Sequence, residues 1–247
     1  MSGGVGPTGS DISLPKDPQN PNHPHKNPQI PTTTASQIKA NLLSFSHLNA
    51  LSAALILAST GLVPLQDLLF VLFSLLYLPI ISHLAFPSKP HTTYPKPLNN
   101  TTKLFSLYIA IGAIVGLYAP IAYLLEGTYE GDKEGIKAAT PHLFLLASQV
   151  VMEGVVFTEG FSPPTRAFVP VFYNSRRIFS IVDWIRREMG DGDRGDVSGR
   201  RVVVGRMLAV GNMVFWCYNL FGFLLPVYLP RVFKVYHSVH KEKKSDE

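Results

Sequence analysis

A single cysteine, Cys217, stands among the 247 residues, and only 16% of the chain is Asp, Glu, Lys or Arg. One cysteine excludes an intramolecular disulfide framework and any metal site built from several thiolates. The charge content falls well short of the roughly 25% found in ordinary soluble domains, while 46% of the residues are apolar. The missing charge is also localised. Residues 42–63, 104–125 and 207–229 contain no Asp, Glu, Lys or Arg, residues 65–86 contain Asp67 alone, and residues 138–158 contain Glu153 alone. A helix needs roughly 20 mostly apolar residues to cross the hydrocarbon core, and lipid offers no partner to an open backbone. The five windows therefore read as spans of an all-α, multi-pass transmembrane helical bundle. The third, LFSLYIAIGAIVGLYAPIAYLL, is apolar all round and lacks the polar stripe of a soluble core helix. The first is the weakest: it contains His47, Asn49 and several serines, and partial placement in the interface stays open for it.

Residues 1–41 are a different material. Proline is mixed there with Asn, His, Gly and Thr, a composition that cannot bury enough apolar surface to offset chain ordering. The expectation is a disordered, proline-rich tail. No basic start runs into an apolar h-region, so it does not read as a signal peptide. Without arginine, and with Asp11 and Asp17, it does not read as an organelle transit peptide either. These features favour endomembrane or plasma membrane over plastid or mitochondrion. Residues 231–247 read as a charged C-terminal tail.

Positive charge marks the cytoplasmic side of short loops. Residues 159–206 are arginine-rich, residues 87–103 hold Lys89, Lys96 and Lys103 without an acid, and residues 126–137 are net acidic. Five spans with the amino end inside satisfy these three segments. They also place Arg231, Lys234, Lys241, Lys243 and Lys244 outside, a conflict that the sequence leaves open. Sequons at Asn99 and Asn100 match a glycosylation pattern, but the neighbouring lysines favour a chance match on the cytoplasmic side. Between the fourth and fifth spans, residues 171–189 carry Arg176, Ser180, Asp183 and Arg187 on one helical stripe and Val171, Ile178, Val182, Ile185 and Met189 on the other side. That pattern predicts an amphipathic helix in the interface, with Arg176, Arg177 and Arg187 as candidate contacts to lipid headgroups. Packing of the same helix on the ends of the spans is the alternative.

Several motifs dissolve on inspection. Gly4, Gly6 and Gly9 spell GxGxxG with neither the strand nor the helix that a dinucleotide site requires. DGDRGD at 191–196 lacks the acidic twelfth position of a calcium loop. EGTYEGDKEGIK at 126–137 reads as a hydrated loop, because a glycine inside a helix costs about 1 kcal/mol. The polar groups inside the spans are the better candidates. His142, Gln149 and Glu153 share one face of the fourth window, where a carboxylate is costly and turns towards partners or water. Glu153 is expected to point into the bundle, with Arg206 as a candidate partner. Asn212 and Asn219 share a face of the fifth span, and Gly112 and Gly116 form a GxxxG step in the third; both are candidate helix-packing devices. Asp67 reads as wet, and Cys217 as a small filler.

Four segments, SGGVGPTGSDISLP, EGDKEGIKAATPHLFLLASQVVMEG, VPVFYNSRRIF and NLFGFLLPVYLPRVFK, resemble a plant family of uncharacterised multi-pass membrane proteins. The resemblance implies the membrane architecture and supplies no catalytic residue. It also implies a role for the amino tail in recognition. The leading expectation is a non-enzymatic membrane component, a scaffold or an accessory to transport or trafficking, with the lipid bilayer as partner and the tail as a contact for other proteins. A small transporter or channel using His142, Gln149 and Glu153 is the alternative. A lipid-modifying enzyme has only His237 and His240 to offer. No catalytic residue, metal ligand, cofactor or nucleic-acid partner is expected.

Overall fold

The computed structural model describes residues 33–88, 94–95, 103–157, 161–190 and 197–245, with side chains placed from Phe45 to Lys241 within those ranges. Six helices account for nearly all of them, and no strand occurs among the described residues. Helix α1 is Thr33–Ser59 and α2 is Leu65–Leu84. Helix α3 joins Lys103–Ala113, a π-helical stretch Ile114–Tyr118, and Ala119–Glu130. Helix α4 is Lys133–Phe157 and α5 is Pro163–Met189. Helix α6 joins Gly199–Cys217, a π-helical stretch Tyr218–Tyr228, and Leu229–Ser245. Four of these helices, α2, α3, α4 and α6, are long and apolar enough to cross a membrane.

The polarity of the packing is inverted with respect to a water-soluble protein. On α2 the exposed row is Leu65, Leu69, Leu72, Leu76, Ile80 and Leu84, whereas the buried row is Asp67, Ser74, Leu78 and Ser82. Leu104, Leu107, Ile111, Ile114, Tyr118 and Ile121 stand outward along α3, and Val203, Met207, Val210, Val214, Tyr218 and Phe221 along α6. Both sets repeat every three or four residues, the spacing of one helical face. Contiguous apolar surface of this extent is rare on soluble monomers, and a hydrocarbon solvent accounts for it. The chain is a multi-pass helical membrane protein.

Several sequence expectations need correction. Helix α1, Thr33–Ser59, takes in most of the first window and ends four residues before it does. The helices extend beyond the apolar windows: α4 starts at Lys133 and α6 at Gly199. The presumed charged tail continues the α6 helix as far as Ser245. Residues 126–137 do not form a hydrated loop. Helix α3 runs to Glu130, Gly131 caps it at φ +72°, a conformation glycine adopts at no steric cost, and α4 starts two residues later. The glycines at 4, 6 and 9, the sequons at Asn99 and Asn100 and the DGDRGD segment lie outside the described residues, as do residues 1–32 of the expected tail.

The largest correction concerns the amphipathic helix. Its 27 residues would reach roughly 40 Å at 1.5 Å per residue, and it runs back through the bundle between α4 and α6. Val169 and Tyr173, early in α5, pack on Met152 and Val156, late in α4. Trp184, near the α5 end, packs on Ala138, Ala139 and Ala209. Arg177 and Trp184 are completely buried. Of the hydrophilic stripe, Arg176 and Ser180 are spent on Asp67, whereas Asp183 and Arg187 stay exposed.

The path of α5 decides which connections share an end of the bundle. The α2 start meets the second half of α5 through Asp67 and Arg176, while the α2 end meets α6 through Tyr236 and Pro87. One end of the bundle therefore carries the α1–α2, α3–α4 and α5–α6 connections. The start of α1, the α2–α3 connection and the late part of α6 lie at the other end. Lys103, Arg231, Lys234 and Lys241 fall at this second end together. At the opposite end Arg200 pairs with Glu126, Arg201 with Asp132, and Arg186 with Asp183. Epitope tags at residue 1 and residue 247 should be protected or digested together in sealed vesicles, with a cysteine placed at Gly131 labelled from the opposite face; tags on opposite faces would contradict this topology.

Candidate functional site

The interior polar groups assemble from the inward faces of the helices into three levels. The first lies at the end holding the α3–α4 turn. Asp132 caps α4 by accepting from the Gly135 amide at 2.8 Å, and its other oxygen accepts from Arg201 Nε at 2.7 Å. Both side chains are essentially fully buried. Arg201 also lies over the Tyr123 ring, 4.1 Å from its centroid, a cation–π contact strengthened by desolvation. Tyr123 donates its hydroxyl to Glu188 at 2.8 Å, Trp184 donates its ring N–H to the same carboxylate at 3.2 Å, and Arg206 donates to the Glu188 carbonyl. The glycines of this region are tied to the cluster. A Cβ at Gly205 would sit 2.5 Å from the Tyr123 hydroxyl and 2.6 Å from Glu188, and Cβ atoms at Gly127 and Gly135 would collide with Arg201 and Asp132.

The second level begins with a backbone defect. Pro120 has no N–H, so the Gly116 carbonyl four residues earlier has no helical donor. The π-helical stretch also directs the Ala119 amide to the Ile114 carbonyl, which frees Val115. Side chains from two other helices satisfy both carbonyls: His142 donates Nε2–H to Gly116 at 2.8 Å, and Asn212 donates to Val115 at 3.0 Å. Trp216 in turn donates to the Asn212 carbonyl oxygen at 3.2 Å. Gly112 and Gly116 allow this closeness, since a Cβ there would stand 2.7 Å from Phe215 and 2.9 Å from Trp216.

The third level is an Arg–Gln–Glu chain. Arg177 donates to Gln149 Oε1 at 2.6 Å, and Gln149 donates to Glu153 Oε1 at 2.8 Å. Trp216 covers the guanidinium at 4.0 Å. Arg177 Nε and Nη1, His142 Nδ1 and the Asn174 carbonyl oxygen are buried without a hydrogen-bond partner. Outside these levels, Asp67 accepts from Arg176 at 2.6 Å and from Ser180, and Ser74 meets Tyr173 at 2.9 Å.

Of the sequence-nominated residues, Gln149 and Glu153 are joined directly, whereas His142 serves the α3 carbonyl instead. Arg206 is not the partner of Glu153; it binds the end of α5. Arg177 lies inside rather than against headgroups, Arg176 holds Asp67, and Arg187 is exposed. Asp67 is dry. Asn212 bonds a neighbouring helix as its type suggested, and Asn219 accepts from Tyr108. His240 packs against Tyr236 and Tyr94. Sequence reasoning missed Asp132, Glu188 and Arg201. Their signal was weak, because charged residues beside predicted loops read as solvated. His142 and Asn212 were nominated, but not for their shared role at the α3 carbonyls, to which Pro120 was the local mark. No group of three or more His, Cys, Asp or Glu side chains able to hold a metal occurs among the described residues.

Fold and interior define a multi-pass helical membrane protein with interhelical polar ties. The chain belongs to the family of the domain of unknown function DUF7733, whose model matches residues 43–237. That match runs from α1 into the late part of α6. Neither a curated protein nor a solved structure matches the chain.

Removing one member of a buried ion pair costs about 3–5 kcal/mol, because the survivor stays charged and unpaired. Arg201→Met should lower the melting temperature in detergent sharply, and the double variant with Asp132→Leu should recover part of the loss. Additive losses would mean that the pair is not coupled. Gly205→Ala overpacks the Tyr123–Glu188 contact at about 1–3 kcal/mol. A Tyr123→Phe background, which removes the hydroxyl nearest the added methyl, should shrink that increment when the same melting curves are compared.

Proposed function

We propose that this protein is a non-catalytic component of a cellular membrane, an accessory or scaffold in transport or trafficking. The observation supporting this reading is the use made of the polar interior. Asp67, Asp132, Glu188, Gln149, His142 and Asn212 each bond a side chain or carbonyl of another helix. Such ties hold helices in register; each contributes about 0.6 kcal/mol on average, and up to roughly 1.7, in a membrane bundle. The large concavities, of about 280 and 780 Å³, have almost wholly apolar linings and contain none of these ties. A rigid frame with apolar recesses suits binding and presentation better than passage of a polar solute. The N-terminal tail is the segment this reading assigns to protein partners. The resemblance to a plant membrane family fits the same picture.

A small transporter is the second reading. The unpartnered atoms of Arg177, His142 and Asn174 favour it, since a buried intramembrane ion is by default a functional candidate. Reconstitution in liposomes loaded with a pH-sensitive dye separates the two. The accessory reading expects no proton flux above that of empty vesicles under an imposed gradient, and the same for Glu153→Gln. Flux that Glu153→Gln abolishes would establish the transporter instead.

A further inference from the structure

The recess of about 780 Å³ lies between α1 and α3, over α4, with Trp216 at its floor. Among the described residues α1 packs mainly on α4, and α3 does not close over it. Small residues keep the space open from both sides: Ala50 and Ala53 on α1, Gly112 and Ala113 on α3. Along α3 the lining runs from Ile109 to Leu125, about 24 Å at 1.5 Å per residue. That is most of the roughly 30 Å height of the hydrocarbon core, and the volume falls within the range of small-molecule sites, roughly 300–1,000 Å³. The shape fits a long, thin, apolar occupant aligned with the helices, reached sideways from the bilayer.

Its two ends differ. Ser46 and Asn49 line the end towards the start of α3, where Lys103 stands exposed. At the other end Leu124 and Leu125 lead into Glu126, a carboxylate held by Arg200 and Arg201. The floor offers no free donor, because the Trp216 ring N–H is given to Asn212. An amphiphile with a negative headgroup therefore fits the recess with its head towards Ser46, Asn49 and the Lys103 end of α3, away from the Glu126 carboxylate.

We propose that the recess between α1 and α3 binds one acyl chain of an anionic glycerophospholipid, with the headgroup at the Lys103 end. This rests on the preceding reading for the location of the recess in the bilayer. The full-length protein, purified in mild detergent, is titrated with phosphatidylglycerol or phosphatidylcholine and followed by native mass spectrometry. One phosphatidylglycerol should bind per chain, at least tenfold more tightly than phosphatidylcholine. Ala53→Trp should weaken binding at least tenfold by filling the recess. Lys103→Glu, which disturbs no packing, should abolish the preference for the anionic lipid while keeping a folded melting curve. Leu72→Trp, in the separate groove between α1 and α2, should bind as the unaltered chain does. Equal binding of both lipids, unchanged binding by Ala53→Trp and Lys103→Glu, free oleate competing at equal affinity, or conversion of a dimer to a monomer by Ala53→Trp without loss of lipid each overturns the proposal. Lost lipid binding without proton flux in the liposome assay leaves the accessory reading standing. Flux overturns that reading whatever the lipid does.

Discussion

A polar group in hydrocarbon must find its partner within the protein, and the arrangement of this bundle follows from that constraint. In water, Asp67 would face out and Leu72 in. Here Asp67 is 1% exposed and Leu72 55% exposed, because the outward solvent rewards the leucine and offers the carboxylate nothing. Once the polar rows turn inward, each must be matched. Helix α5 performs most of the matching. It carries Asn174, Arg177, Ser180, Trp184 and Glu188 at buried positions and so presents a bondable group to the helices packed around it.

The same constraint explains why irregular backbone is tolerated within the spans. Pro120 and the π-helical stretch expose two carbonyls of α3, which would be costly against lipid. His142 and Asn212 satisfy them, and the glycines of the GxxxG step let the donors come close. The defect becomes a fastening point for three helices. The close packing at Gly205 follows similar logic, with the missing side chain making room for the Tyr123–Glu188 bond.

Much of the architecture was legible in the sequence because hydrocarbon imposes one strong rule, a long run without charge. Four of the five windows became helices able to span. The rule fails for α5, whose interior carries Arg176, Arg177 and Asp183 and whose mean polarity resembles that of a surface helix. Sequence periodicity detects amphipathicity but cannot say whether the polar face meets water or other side chains. That ambiguity hid the path of α5 through the bundle. Among the candidate residues, Gln149 and Glu153 were found because polar side chains stand out in an apolar window, and as i, i+4 neighbours they meet on the helix. The Asp132–Arg201 pair spans 69 positions, a separation no local pattern reveals.

Spin labels introduced singly along α2, in protein returned to lipid bilayers, address the inverted polarity most directly. Labels at Leu69, Leu72, Leu76 and Ile80 should collide readily with oxygen and scarcely with a water-soluble nickel chelate, while labels at Ser74 and Leu78 should be shielded from both. Ready collision of the Leu72 and Leu76 labels with the nickel chelate would contradict a hydrocarbon surround for this bundle.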